Sequence, residues 1–195
     1  VVSDVGTFYC SFSTRKPTLS DAYDELRVHR KVVVDYLKAR GVKEEWMTVW
    51  EIDTNKLYKK DPEGHKTNEI EYYELTQGIG ITSSNVTLVR DISREITDLI
   101  RQGISIHAAE PRFYVSNLDR IKVELLAEAT KDAYNRAVAL ARNSGGSVGK
   151  VHSAHQGVFQ ITKPYSTETS GYGIYDTSTI NKTVKAVVTL EYSIR

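Results

Sequence analysis

The sequence predicts an α+β fold of mostly antiparallel sheets packed with helices. Two observations carry that prediction. Stretches with strand character fall in adjacent runs, rather than alternating one by one with helices as a parallel sheet requires. Three other segments repeat apolar residues at helical spacing, and each ends at a glycine or a glycine cluster. The resulting order is strand-helix-strand-strand-helix-strand-helix-strand-strand. A chain of 195 residues can bury its core as one domain or as two small interleaved ones.

The first strand is read at Thr7 to Thr14, where Phe8, Cys10 and Phe12 alternate with Thr7, Tyr9, Ser11 and Ser13. Pro17 ends it. Thr18, with Asp21 three residues on, makes a helix start like a capping box. Ala22, Leu26, Val33 and Leu37 recur on one face of that helix, and Gly41 stops it. Trp46 to Tyr58 and Ile70 to Arg90 are the next extended stretches. The polar turn DPEGHKTN between them makes a long hairpin. Gly78 and Gly80 share a face of its second strand, which calls for a bulge or a closely packed neighbour. Asp91 is expected to cap a short helix carrying Ile92, Ile96, Leu99 and Ile100, closed by Gly103.

Ile104 to Val115 reads as extended, broken by Pro111. The longest helix follows Asn117 and runs from about Leu118 to Arg142, about 37 Å at 1.5 Å per residue. Its apolar stripe is Leu118, Ile121, Leu125, Ala129, Ala133, Ala137 and Leu140. Val148 to Ile161 and Val184 to Ile194 are the last strands. Between them lies KPYSTETSGYGIYDTSTINKT, a stretch of 21 residues with almost no core-forming content. A connection of that length is either functional or disordered.

Composition excludes several classes. The 26 basic and 25 acidic residues balance, and no local basic block stands free of acids, so nucleic acid is not an expected partner. The single cysteine rules out an internal disulfide framework. No apolar run approaches the roughly 20 residues of a membrane-spanning helix.

No catalytic, cofactor or metal site is expected. The cluster Gly145-Gly146-Ser147-Val148-Gly149-Lys150 resembles a phosphate loop, but Ser144 stands where the first glycine belongs and Val151 where the hydroxyl belongs. It also follows a helix C-terminus, whose partial charge repels anions. His152 and His155 lie three apart in a strand, on opposite faces unless a bulge intervenes. Cys10, between two phenylalanines, reads as a buried and inert thiol. There is no G-x-S-x-G elbow, and the carboxylates are scattered among lysines on solvated faces. Tyr165, Tyr172 and Tyr175, within the Ser/Thr/Gly-rich stretch, are the candidate interaction surface, because such rings offer contact area at low entropic cost.

An ordered set of segments carries a further signal: Ser3-Asp4, Leu19-Ser20-Asp21-Ala22, YLKARGVKEEWMTVW, GITSSNVTLVRDISREITDLIRQGISI, RFYVSN, EATKDAYNRAVALARNSGGSVGKV and KAVVTLEYSIR. Together these resemble the SIMPL-domain family of bacterial proteins of unknown function, over essentially the whole chain. One departure is the missing I-x-V-x-G strand with which members usually begin. The resemblance implies an outer α+β subdomain of residues 1–83 and 149–195, with residues 84–148 inserted as an α/β subdomain holding the Ala-rich helix. It also implies an exported protein of the periplasm or cell envelope, with no defined catalytic residues, linked to stress tolerance and to ring- or channel-like assembly. The chain opens at Val1 inside a strand, so upstream residues, including a secretory signal, are expected to have been removed.

Two functions are therefore expected in order. The first is a non-enzymatic envelope protein, associated with the outer membrane and self-assembling through sheet edges and the 164–183 segment. The alternative is a monomeric envelope binding module, whose 164–183 loop grips a glycan, peptide or small molecule.

Overall fold

The computed structural model describes residues 1–195 and shows an α+β fold with mainly antiparallel sheets. The chain divides into two compact units, Asp4–Phe113 and Val1–Ser3 with Tyr114–Arg195. This differs from the expected insertion of residues 84–148. The contacts explain why: the helix following residue 85 packs on the first and third strands, whereas the Ala-rich helix packs on the last strands.

In the first unit, β1 (Val5–Lys16) pairs antiparallel with β3 (Lys66–Ser83), which pairs with β2 (Met47–Lys60). β4 (Ser105–Ala108) and β5 (Arg112–Tyr114), separated around Pro111, also pair with β1. Phe8, Cys10 and Phe12 are buried, as their alternation predicts. They meet Ala22, Leu26, Val33 and Leu37 of α1 (Leu19–Ala39), the apolar face read from its spacing. Thr18 Oγ1 accepts a hydrogen bond from the Asp21 amide at 3.2 Å, and Gly41 has a left-handed φ of 90° just beyond the helix.

The glycine pair in β3 is a floor for two rings. A Cβ on Gly78 would lie 2.7 Å from the Tyr9 ring, and one on Gly80 2.4 Å from the Trp50 ring. The rings meet edge to face at 5.2 Å. β2 bulges between Val49 and Ile52, and the Gln77 side chain donates to the freed Trp50 carbonyl at 2.8 Å.

One boundary moves. α2 spans Val86–Glu95 and is capped by Asn85, whose side chain accepts from the Leu88 amide at 3.0 Å. The expected strand therefore ends at Ser83 rather than Arg90, and Asp91 pairs with Arg90 instead of capping. The run Val86-Thr87-Leu88-Val89, β-branched at three of four positions, has strand propensity, but its helical register buries Val89, Ile92, Ile96 and Leu99, and that packing decides. A 3-10 segment, Ile96–Gln102, then closes at Gly103, with φ of 81°.

The second unit holds α3 (Leu118–Asn143), which packs against a ribbon of β6 (Val148–Gln156) and β10 (Val188–Ile194). Beside it is a small sheet of β7 (Gln160–Thr162) between β8 (Ile174–Tyr175) and β9 (Thr183–Lys185). Both expected long strands, 148–161 and 184–194, are thus broken. The breaks are aligned, since the Gly157 amide bonds the Val187 carbonyl at 2.8 Å, so the two strands leave one sheet and enter the other together. α3 ends as expected: Gly145 has φ of 79° and the Gly146 amide bonds the Ala141 carbonyl at 2.9 Å. Its stripe is only half-buried, and Leu140, expected to be inside, is 72% exposed.

Candidate interaction surface

The 163–183 stretch is folded on polar anchors rather than on an apolar core. Gln160, buried in β7, donates through Nε2 to the Ser170 carbonyl at 2.7 Å, and its Oε1 accepts from the Ser170 amide at 3.3 Å. Lys185 Nζ donates to the Ser166 carbonyl at 2.5 Å. Deepest is Lys182, whose side chain is fully buried. Its Nζ donates to the Asp176 carbonyl at 2.6 Å, to the Thr179 carbonyl at 2.7 Å and to Asp176 Oδ2 at 3.3 Å. The Asp176 carboxylate also accepts from the amides and hydroxyls of Ser178 and Thr179.

The electrostatics of this pair follow from the geometry. Burial pushes the Asp176 carboxyl up, but the hydrogen bonds from Thr179 and Ser178, with the Lys182 charge, outweigh it and hold the group below the ordinary carboxylate range. Burial lowers Lys182 from the usual lysine value, against the raising effect of Asp176. Backbone bonds tie this knot to the first residues: the Lys182 amide to the Val1 carbonyl at 2.9 Å, and the Ser3 amide to the Ile180 carbonyl at 2.8 Å.

On that frame two of the three tyrosines stand free. Lys163-Pro164-Tyr165-Ser166 closes as a turn through the Ser166 amide and Lys163 carbonyl at 3.2 Å. Proline stands at the second position, and Tyr165 takes a φ of 63° at the third. A left-handed tyrosine costs about 1–2 kcal/mol relative to a right-handed one. Tyr165 is nevertheless fully exposed, as is Tyr172 at the tip of the next turn, which closes at Gly173. Tyr175 is different: it lies in β8, and its ring sits 6.4 Å from Tyr114. The structure therefore separates the three, presenting Tyr165 and Tyr172 outward and pairing Tyr175 within the unit.

The same unit leaves other apolar groups uncovered. Val123 and Ile194 are 69% and 70% exposed, and Val151 and Val187 are exposed as well. Of the 26 residues of α3, Ala141 alone is buried.

The groups weighed for chemistry are placed plainly. Cys10 is fully buried, its Sγ donates to the Ile79 carbonyl at 3.7 Å, and burial pushes its pKa up to about 12. A thiol reagent should leave Cys10 unmodified in the folded protein and modify it fully in denaturant. Rapid labelling under native conditions would refute the buried-thiol assignment. β6 does carry a bulge at His152, since Ser153 pairs with Glu191 and Val151 with Tyr192. No three His, Cys, Asp or Glu side chains converge as metal ligands, however, there or elsewhere. No helix is long and apolar enough to cross a membrane.

A family model described as SIMPL, a protein of unknown function (DUF541), matches residues 1–192. The chain belongs to the SIMPL family. No curated protein matches it. In this SIMPL protein the Ala-rich helix and its G-G-x-x-G-K-V continuation build the joint between α3 and the β6–β10 ribbon. Gly149 lies so near β10 that a Cβ there would meet Ser193 Oγ at 2.3 Å. Gly146 and Gly149 serve close approach, whereas Gly145 supplies the left-handed residue that ends α3.

Sequence reasoning missed the Lys182–Asp176 pair. The available signal was Asp176-Thr177-Ser178-Thr179, where hydroxyl residues follow an aspartate closely enough to form local side chain–backbone turns.

Proposed function

We propose that this SIMPL protein is a non-catalytic, self-assembling component of the bacterial cell envelope, resident in the periplasm and linked to envelope or stress tolerance. The observation that carries the reading is the half-covered apolar surface of the Tyr114–Arg195 unit. A 26-residue helix with one buried position keeps its stripe only half-covered, and Leu140 is left exposed. The β6–β10 ribbon adds two unpaired edges, and β10 carries one charged residue, Glu191, to discourage pairing. The exposed Tyr165 and Tyr172 supply aromatic anchors of the kind that dominate interface energies.

The experiment is light scattering on the full chain at tens of micromolar, beside Tyr165→Ser/Tyr172→Ser. Wild type should run larger than a monomer, and the double variant should shift toward monomer with unchanged melting. A monomeric wild type sinks the assembly reading, and fractionation that places the native protein in the cytosol sinks the envelope assignment. Deleting Ser166 to Thr179 is a poor substitute, because it removes Asp176 and strands Lys182 in the interior.

The alternative, a monomeric module binding through the same loop, rests on the same two rings. It is favoured if the wild type is monomeric and the two tyrosines protect a bound glycan, peptide or small molecule.

A further inference from the structure

The Asp4–Phe113 unit has an uncovered groove that the assembly reading does not use. α1 packs on β1 and β3, and β2 lies beyond β3 at the sheet edge. Met47, Val49, Ile52 and Thr54 face the helix side of β2, because they pair with Ile81, Ile79, Gln77 and Leu75 of β3. Val49 and, on the facing side of α1, Leu19 and Tyr23 are left exposed.

Two open cavities lie along this strand. One, of about 560 Å³, is walled by Leu19, Tyr23, Ile52 and Leu75, with the hydroxyl residues Ser20 and Thr54. The other, of about 300 Å³, is walled by Val34, Met47 and Val49, with Arg30, Lys38 and Glu44 at its rim. Tyr23 and Val34, one in each cavity, stand about 16 Å apart along α1 at 1.5 Å per residue. The first cavity is thus apolar and uncharged, and the second carries two cations, Arg30 and Lys38, with one anion, Glu44.

Of the two cations at the second cavity, Arg30 alone is unpaired. Lys38 pairs with Glu44 at 3.0 Å and Lys31 with Asp35 at 2.6 Å, whereas Arg30 makes no ion pair. A guanidinium beside an apolar trough suits a carboxylate, which it can bind through two parallel hydrogen bonds. An added strand is a poor occupant. β2 is interrupted by bulges at Val49/Ile52, Leu57/Tyr58 and Tyr58/Lys60, so it offers no continuous edge.

We propose that this groove binds one long-chain carboxylate, a free fatty acid. The tail lies against Leu19, Tyr23 and Ile52, and the carboxylate meets Arg30. The proposal goes beyond the assembly reading and does not depend on it, since that reading rests on the other unit.

The test is calorimetric titration of the full chain with palmitate, hexadecanol and hexadecyltrimethylammonium. Palmitate should saturate at one per chain and bind about tenfold or more tighter than either comparator, the margin of one charge-assisted contact. Arg30→Glu should weaken palmitate about tenfold or more without shifting the melting temperature. Val49→Trp, at an exposed position, should block binding by filling the groove. Equal affinity for the cationic amphiphile, or palmitate binding that neither variant changes, overturns the proposal. So does binding to phosphatidylglycerol vesicles without binding to free palmitate, which would make the face a membrane contact. Loss of assembly in Arg30→Glu, with no palmitate bound by wild type, would assign the groove to a second copy and overturn it as well. Light scattering on the same samples keeps this result separate from the assembly reading.

Discussion

Lys182→Met should destabilise the Tyr114–Arg195 unit by about 3–5 kcal/mol, the usual cost of removing one partner from a buried ion pair. The lysine side chain is fully buried and Asp176 is 8% exposed, so solvent screens neither charge. Methionine keeps all of the side chain's length but the terminal atom, and removes the charge. It leaves the carbonyls of Asp176 and Thr179 without their donor, and a carboxylate without its cation. Adding Asp176→Asn should recover part of the loss, because the uncompensated charge goes with it. Chemical unfolding followed by tyrosine fluorescence reads the effect. A Lys182→Met protein as stable as wild type would mean that the cation does not anchor the 163–183 stretch.

The same pair fixes a pH dependence. Asp176 is held below its unfolded value, so its stabilisation is present above the ordinary carboxylate range and is lost as pH falls through the folded value. Lys182 acts at the other end: its folded value is lowered, so its charged form is penalised at neutral pH. That penalty fades as pH rises toward the usual lysine value. Acid should therefore weaken this unit below about pH 4, where unfolded aspartates take up protons. Lys182→Met/Asp176→Asn should flatten that limb.

The two units were not equally legible in the sequence. In the Asp4–Phe113 unit, binary patterning and the α1 cap agree with the packing, so they identify Phe8, Cys10 and Phe12 and the face of α1. Gly78 and Gly80 announced the rings over them. α2 was misplaced because Val86 to Val89 has strand propensity locally, while its burial belongs to a helix. In the second unit α3 carries a readable apolar stripe, but the 163–183 stretch has almost no apolar periodicity. The small sheet there is held by Gln160, Lys182 and Lys185, residue types that pattern rules assign to the surface. A burial rule therefore sees a loop where hydrogen bonds make a fold. The candidate tyrosines were located by composition, but nothing in the sequence separated Tyr175, paired with Tyr114, from the exposed Tyr165 and Tyr172.

Gly149→Ala should cost the protein about 1–3 kcal/mol, the range for forcing an added group into a packed site. Its φ is not left-handed, so the cost is one of space rather than backbone conformation. The added carbon would lie 2.3 Å from Ser193 Oγ and 2.9 Å from the Ser193 carbonyl oxygen. The hydroxyl alone could rotate away, but the carbonyl belongs to β10, so the ribbon must part locally. Ser193 Oγ also accepts from the Lys150 amide at 3.1 Å, and parting the strands breaks that bond. Ser193→Gly in the Gly149→Ala background should therefore recover part of the loss by clearing the nearer contact, and not all of it, because the carbonyl stays. Gly171→Ala is the control: nothing lies within 4 Å of its Cβ position and its φ is not left-handed, so stability should hold or rise slightly. Thermal unfolding followed by circular dichroism ranks the four proteins. Gly149→Ala melting with wild type would show that the ribbon tolerates a side chain there. The G-G-x-x-G-K-V sequence would then need another explanation than close approach of β6 to β10.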